Sequence, residues 1–324
     1  MSSPSLNSPD PSYWQGRSIV VTGGAGFLGT QTVELLKSLG ARIRVPRSRD
    51  HDLRVAVAAC EAVAGAEVVI HLAGIVGGIG FGRRHPALLV HDNVLIAANV
   101  FEACRKGKVQ QLIAPSSVCA YPLDAPVPFQ EKDIWDGYPE TTNAPYGLAK
   151  KMHLVLSSAY RAEHGLESCV PVLANLYGPG GNFDPDDSHV IAAMTRKFSE
   201  ATSRGDEVVR LWGTGKPSRE FLHTGDAARA LLLCGEHLRI SEPVNIGTGV
   251  ETPNFELADL ISGLCGFQGT TVWDTSFPDG QPRRSLDVSR ARELVGFEAV
   301  VPIEQGLAQV RDSYLGNRIS RALP

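Results

Sequence analysis

A chain of 324 residues is long enough for one large domain or two closely joined ones with a full core. Hydrophobic residues at 43%, charged residues at 20% and a formal net charge of -4, with no basic run, describe an ordinary globular protein and exclude nucleic acid as a partner. Cysteines at 60, 104, 119, 169, 234 and 265 show neither close pairing nor metal-ligand spacing, so a reduced, cytoplasmic protein without a bound metal is expected.

Residues 1–15 read as a disordered tail, because Ser, Pro and Asn dominate and no apolar stretch marks a signal peptide. No apolar run reaches membrane-span length by inspection, so no membrane partner is expected. Ser18-Ile19-Val20-Val21-Thr22 is a short apolar strand that runs into Gly23-Gly24-Ala25-Gly26-Phe27-Leu28-Gly29 and an amphipathic helix through Leu39. Strand, glycine turn and helix in that order form the nucleotide-binding fingerprint. Gly23 permits the turn, Gly26 lets backbone approach a pyrophosphate, and Gly29 lets the helix pack near the strand. Gly23, Gly26, Phe27 and Leu28 are the expected phosphate-side contacts, at a helix N-terminus that favours anions. A purely structural glycine turn is the competing reading; the strand and helix on either side weigh against it.

The second strand, from Ala41 to Val45, ends at Pro46-Arg47-Ser48-Arg49-Asp50. Enzymes selective for NAD place a carboxylate at this strand end for the ribose 2′-hydroxyl. Here Arg47 comes first, which suits a 2′-phosphate and favours NADP over NAD; a solvated basic loop is the alternative. Asp52 and Leu53 are placed against the adenine. Glu67 to Gly74 is a buried strand whose end, Leu72 and Ala73, faces the cofactor, and His71 reads as a packing residue there. A helix follows from about Pro86 to Lys106. Asn93 and Asn99 lie in it, either bracing a neighbour or on the surface. The next strand, Gln111 to Ala114, delivers Ser116, Ser117 and Cys119. This rhythm predicts an α/β fold, a doubly wound parallel sheet with helices on both faces.

A Pro-rich loop from Pro122 to Pro145 leads into a helix carrying Tyr146 and Lys150. Tyr and Lys at i, i+4 share a helix face, and an ammonium beside a phenol is expected to lower its pKa. With Ser117 they form a proton-transfer device for a carbonyl or alcohol. After the strand Ser168 to Leu173, the segment Asn175 to Phe183 breaks the composition. It divides the chain into a dinucleotide-binding domain, 16–178, and a smaller mixed α/β substrate domain, 179–324. In the latter, Trp212, Lys197, Arg219 and Arg284, with Asn175 at the boundary, suit a site that clamps a nucleotide diphosphate and stacks on a ring.

Together the Gly23-x-x-Gly26-x-x-Gly29 turn, Ser117 and Tyr146-x-x-x-Lys150 resemble the extended short-chain dehydrogenase/reductase family. Further runs resemble its 3,5-epimerase/4-reductases of GDP-4-keto-6-deoxy-mannose. These are Val76-Gly77-Gly78-Ile79, Thr142-Asn143-Ala144-Pro145-Tyr146, Asn175-Leu176-Tyr177-Gly178-Pro179, Ser188-His189-Val190-Ile191, Trp212-Gly213-Thr214-Gly215, Arg219-Glu220-Phe221-Leu222-His223 and Pro278-Asp279-Gly280-Gln281-Pro282-Arg283. The resemblance implies that Tyr146 protonates the reduced C4 oxygen, Lys150 holds the nicotinamide ribose, Ser117 binds the sugar oxygen, and Cys119 and His189 exchange protons at C3 and C5. It also implies a homodimer pairing the helices after Pro86 and Pro145, through Leu88, Leu95, Met152, Leu154, Val155 and Leu156. The pattern departs at Val118, Ala120 and Leu123, where the family has Ser, Ile and Lys. It departs again at Ile75, a family Lys, and at Lys197, often Arg. An epimerase or dehydratase that recycles bound NAD(P), a reductase without epimerisation and a non-catalytic nucleotide sensor remain the other readings.

Overall fold

The computed structural model describes residues 7–277 and 279–322; residues 1–6 of the expected tail, and Pro278 of the motif quoted above, lie outside them. The strands are β1 (Ser18–Thr22), β2 (Arg42–Arg44), β3 (Val68–His71), β4 (Gln111–Ile113), β5 (Ser116–Ser117), β6 (Ser168–Cys169), β7 (Pro171–Leu173), β8 (Asn175–Tyr177), β9 (Val208–Trp212), β10 (Ser218–His223), β11 (Val244–Ile246), β12 (Glu251–Pro253), β13 (Thr270–Asp274) and β14 (Arg283–Arg284). The α-helices are α1 (Pro11–Trp14), α2 (Phe27–Ser38), α3 (Ala56–Val63), α4 (Ile79–Arg84), α5 (Pro86–Lys106), α6 (Ala144–His164), α7 (Val190–Arg204), α8 (Thr224–His237), α9 (Asn254–Cys265), α10 (Ser289–Val295) and α11 (Ile303–Ala322).

Near-continuous apolar runs make β1 and β3 fully buried strands, as a sheet covered on both faces requires. The parallel order is β2-β1-β3-β4-β6, and it continues through β5-β7-β11. Ile19 pairs with Ile43 on one side and with Val68 on the other. The chain goes out to β2 and then jumps back across β1 to β3. The carboxyl ends of β1 and β3 therefore form the crevice where open α/β sheets bind ligands. On one face α2 and α8 pack together, and on the other α3, α5 and α6 do. This is the expected doubly wound, Rossmann-type sheet with a smaller mixed unit beside it.

Two boundaries differ from the sequence reading. The tail ends sooner: Asp10 caps α1, and Trp14 is fully buried, its indole donating to Glu236. A single anchored indole supplies the burial that the polar composition hides. The split at 178/179 is also not a clean cut. Leu222, Leu231, Val244, Ile246, Leu286 and Phe297 share one core with Ile19, Ile70 and Val172, so β10, α8, β11 and α10 close the first sheet rather than the second unit. The second unit keeps its own core around Phe198, Leu211, Leu257 and Leu307.

Helix α5, at 21 residues and a mean hydropathy of 1.3, does have the length and apolarity of a membrane span, contrary to inspection; half of that stretch is buried against the protein. Leu89, Ile96, Ala97 and Val100 face inward. Of the six apolar residues assigned to a helix pairing, Leu154 is buried in the core at 3% exposure, whereas Leu88 and Val155 are exposed and Leu95, Met152 and Leu156 half-buried.

Candidate active site

The glycine turn is built as its spacing demands. Gly23 takes a φ of +69°. A Cβ on Gly29 would lie 2.1 Å from the Gly23 carbonyl oxygen, which only glycine avoids. Gly26 caps α2 with extended backbone and no side-chain cap, leaving the first N–H groups of the helix facing outward beside Phe27 and Leu28. A cavity of roughly 370 Å³ opens there, lined by Ala25, Gly26, Phe27, Thr30, Gln31, Pro179 and Gly180. Backbone donors, a helix N-terminus and this open space fit the diphosphate of a dinucleotide. Leu72 and Ala73 press against the turn from β3: a Cβ on Gly23 would fall 2.6 Å from the Ala73 nitrogen.

The remaining cofactor-side residues divide. Arg47 is exposed just beyond β2, its carbonyl accepts from the Asp50 and His51 amides, and its guanidinium meets no partner among the described residues. The Asp52 carboxylate is held by Arg54, which also donates to Asp92, and Arg54 keeps the Asp52 carboxyl down to about 2. Leu53 is not a ligand-facing side chain: it is buried with Val20, Ala59 and Val69, and its carbonyl accepts from Asn99. Asn93 fastens both backbone groups of Ile75, accepting from its N–H at 2.7 Å and donating to its carbonyl at 2.9 Å.

Helix α6 brings Tyr146 and Lys150 to the strand ends. A Cβ on Gly147 would lie 2.1 Å from the Cys119 carbonyl oxygen, so glycine lets α6 touch the turn that carries Cys119. Lys150 is buried, its Nζ donating to the Pro115 carbonyl at 3.2 Å, and burial lowers its pKa to about 8. Tyr146 does not show the expected lowering: burial pushes the phenol up, and the neighbouring Cys119 adds to it. Desolvation outweighs the ammonium one turn on. The Ser117 hydroxyl oxygen accepts from the Cys119 amide at 3.2 Å.

Tyr146, Cys119 and His189 line one small cavity of roughly 60 Å³ with Val76, Gly77, Gly78, Leu89, Thr142 and Asn143. His189 begins α7 at its mouth; solvent still reaches it, yet surrounding protein disfavours its imidazolium and lowers its pKa. Arg284 reaches in from β14. It donates to Cys119 Sγ at 3.4 Å and to Gln281 Oε1 at 3.0 Å, and Gln281 in turn donates to the Leu123 carbonyl. Arg219 is close enough that burial first, and Arg284 second, lower its pKa to about 10. Two neighbouring guanidiniums, Arg284 buried and Arg219 half-buried, suit an anion.

The other substrate-side residues are spread out. Trp212, 64% exposed, stacks on Phe277 at 4.4 Å and 5°, and Lys197 Nζ lies 5.8 Å above its ring while donating to the Arg210 carbonyl. Asn175 spends its amide on the Glu220 carbonyl at 2.9 Å, which ties β8 to β10. Sequence reading missed Phe277 and Glu140. The Glu140 carboxylate accepts from the Thr142 hydroxyl at 2.6 Å and from Asn143 Nδ2 at 2.8 Å, ordering the cavity wall before Tyr146. A carboxylate three residues before Asn143 was the available signal.

An acid–base pair beside a dinucleotide cradle defines an enzyme of the Rossmann class that works on an alcohol or carbonyl. The chain belongs to the NAD dependent epimerase/dehydratase family, whose profile matches residues 19–247. It is similar to the probable GDP-L-fucose synthase 1 of Oryza sativa subsp. japonica, at 38% identity over 94% of each chain. To the GDP-L-fucose synthase of Escherichia coli (strain K12) it is 35% identical over 93% of this chain and 97% of that one. Among solved structures, the GDP-L-fucose synthetase of Naegleria fowleri bound to NADP superposes with a TM-score of 0.84, at 29% identity over 94% of this chain and 95% of that one.

Proposed function

We propose that the protein is an NADP-dependent epimerase/reductase that converts a GDP-4-keto-6-deoxy-hexose into an epimerised, reduced GDP-sugar. The observation that carries this reading is the shared cavity: Cys119 and His189 meet the phenol of Tyr146 in one pocket, with Arg284 on the thiol. Relatives that bear GDP-L-fucose synthase names over nearly their full length support it.

The 4-keto group acidifies the sugar's C3 and C5 hydrogens. Of Cys119 and His189, one removes a proton and the other returns it from the opposite face. The Ser117 and Tyr146 hydroxyls serve the O4 oxygen, where enolate charge develops. The raised pKa of Tyr146 keeps the phenol protonated at neutral pH, and its proton goes to O4 when C4 is reduced. NADPH, when bound, supplies the hydride. Gly23, Gly26, Phe27 and Leu28 would hold its diphosphate, Arg47 its 2′-phosphate and Lys150 the nicotinamide ribose. Arg219 takes the substrate diphosphate, and Trp212 and Lys197 the base.

The outward face of α5 and α6, with Leu88, Leu95, Met152 and Val155, fits a second copy of the chain, and free thiols at all six cysteines suit a reducing cytoplasm. The test is direct. Purified protein given GDP-4-keto-6-deoxy-mannose in deuterated water should take up deuterium at C3 and C5 and oxidise NADPH stoichiometrically. Exchange without NADPH oxidation would move the reading to an epimerase that recycles its cofactor; oxidation without exchange would leave a simple 4-keto reductase.

A further inference from the structure

A buried polar chain runs from the glycine turn to Lys150, and neither half-reaction uses it. Thr22 closes β1 just before Gly23. Its hydroxyl oxygen accepts from the Ala73 amide at 3.3 Å and lies 2.8 Å from His71 Nδ1. The Thr22 hydroxyl and His71 Nδ1 share one hydrogen bond, and His71 Nε2 meets no partner among the described residues. The His71 ring stacks on His153 with centroids 5.5 Å apart. His153 Nδ1 donates to the Ala114 carbonyl at 3.3 Å, while the next carbonyl, of Pro115, accepts from Lys150. Ser116 closes the loop by donating to the Lys150 carbonyl at 3.0 Å.

His153 and Lys150 stand at i, i+3 on α6, so both point at the same strand end, where His153 bonds the Ala114 carbonyl and Lys150 the next one, of Pro115, which His153 also faces. The two imidazoles are 0% and 2% exposed. Purely apolar side chains would fill that space at lower desolvation cost. Burial, aided by the Lys150 charge, lowers both, His71 to about 3, so the pair places no positive charge against the ammonium at physiological pH.

We propose that His153, backed by His71, is a positioning residue for the reductive half-reaction. It sets the height of Lys150, and of Tyr146 one turn earlier, against the strand ends that carry Thr22 and the cofactor turn. The inference rests on the reading of Tyr146 and Lys150 as the reductive pair and deepens it. Cys119 and His189 are supplied by other elements, a turn after β5 and the start of α7, so the expected signature is a split between the two activities.

The experiment compares full-length parent, His153→Phe and His153→Gln with GDP-4-keto-6-deoxy-mannose and NADPH, reading NADPH oxidation beside deuterium uptake. Phenylalanine fills the space without a donor and should lower kcat for NADPH oxidation by roughly 10- to 100-fold, the scale of a small misplacement of reacting groups, with exchange within about two-fold of the parent. Glutamine restores a donor for the Ala114 carbonyl and should recover most of the loss. Thr22→Val, which removes the hydroxyl behind His71, gives a second route should the phenylalanine variant not fold, and should show the same split more weakly. Reduction at the parental rate in His153→Phe, or equal loss of both activities in all three variants, would overturn the proposal and leave the function standing. A parent inactive in both assays would overturn both.

Discussion

The groups proposed for reduction and for epimerisation, Tyr146 on one side and Cys119 and His189 on the other, share a cavity but come to it by different routes. Tyr146, half-buried at the cavity, and Lys150, buried, lie one turn apart on α6, and loss of solvent drives them in opposite directions, the phenol up and the ammonium down to about 8. Cys119 follows β5 and His189 starts α7; they converge only through the fold, and Arg284, far along the chain, completes their corner. One side is a local motif tuned by desolvation. The other is a tertiary assembly in which a guanidinium contacts the thiol. The two sides should therefore fail independently.

The widest separation should come from two single changes. Tyr146→Phe removes the proton donor for O4 and should lower NADPH oxidation by roughly 10²–10⁴-fold while C3 and C5 exchange persists. Cys119→Ser should invert the pattern: exchange collapses and residual reduction yields an unepimerised sugar, read by mass spectrometry beside NADPH absorbance. Full exchange in Cys119→Ser would erase the distinction and reduce the thiol to packing.

Arg284→Met is the next largest test. It removes a charged donor from Cys119 and frees Gln281, and losing such a contact costs about 1.5–3 kcal/mol. Exchange at saturating substrate should slow by roughly 10- to 100-fold. Arg284→Lys should recover part of it, since the charge returns without the fork. If exchange is unchanged in Arg284→Met, the guanidinium serves the substrate alone.

On the reductive side, burial of Lys150 carries a stability cost at neutral pH. Lys150 releases its proton near pH 8 in the folded protein, against about 10.4 when exposed. Below pH 8 both states are charged, and the fold bears the whole cost of burying the ammonium. Between the two values only the folded state sheds the proton, so stability of the cofactor-free protein rises with pH across that window. Lys150→Met should abolish reduction yet stabilise the protein at pH 7 by about 2 kcal/mol, after subtracting the lost hydrogen bond to Pro115, and the gain should fade toward pH 10. A melting temperature that falls at pH 7 would contradict this.

These asymmetries match what the sequence made legible. The strand, glycine turn and helix from Ser18 to Ser38, and the pair Tyr146 and Lys150, depend on residues a few positions apart, where spacing carries the physics. The contact of Arg284 with Cys119, or of Trp14 with Glu236, depends on the topology, which no local pattern encodes. The same limit explains the domain split. The break in composition after Asn175 does not show which sheet α8 covers, and it covers the first. Leu154 was misread for a related reason, as was Leu156, which packs against the core beside Phe101: their neighbour Val155 does lie toward the outside, and one step around the helix reverses a residue's environment. The pKa of Tyr146 was misjudged because adjacency to Lys150 is visible in sequence while burial is not.

The smallest effect belongs to the cofactor's far end. Arg47 stands exposed beyond β2, and its neighbour Arg49 is already paired with Asp50. The nearest carboxylate toward the adenine, Asp52, is occupied by Arg54 and is not free to take a ribose 2′-hydroxyl. An exposed guanidinium whose nearby carboxylates, Asp50 and Asp52, are already paired with Arg49 and Arg54 fits a 2′-phosphate, but a solvated contact contributes only modestly. Arg47→Ala should raise the KM for NADPH by roughly 10-fold, leave NADH within about two-fold, and change neither kcat nor C3 and C5 exchange. Arg47→Lys should retain part of the preference as a point charge. An equal response of both cofactors would place the selectivity elsewhere, with Arg54 the next residue to change, because breaking its hold on Asp52 would free a carboxylate for the ribose of NADH.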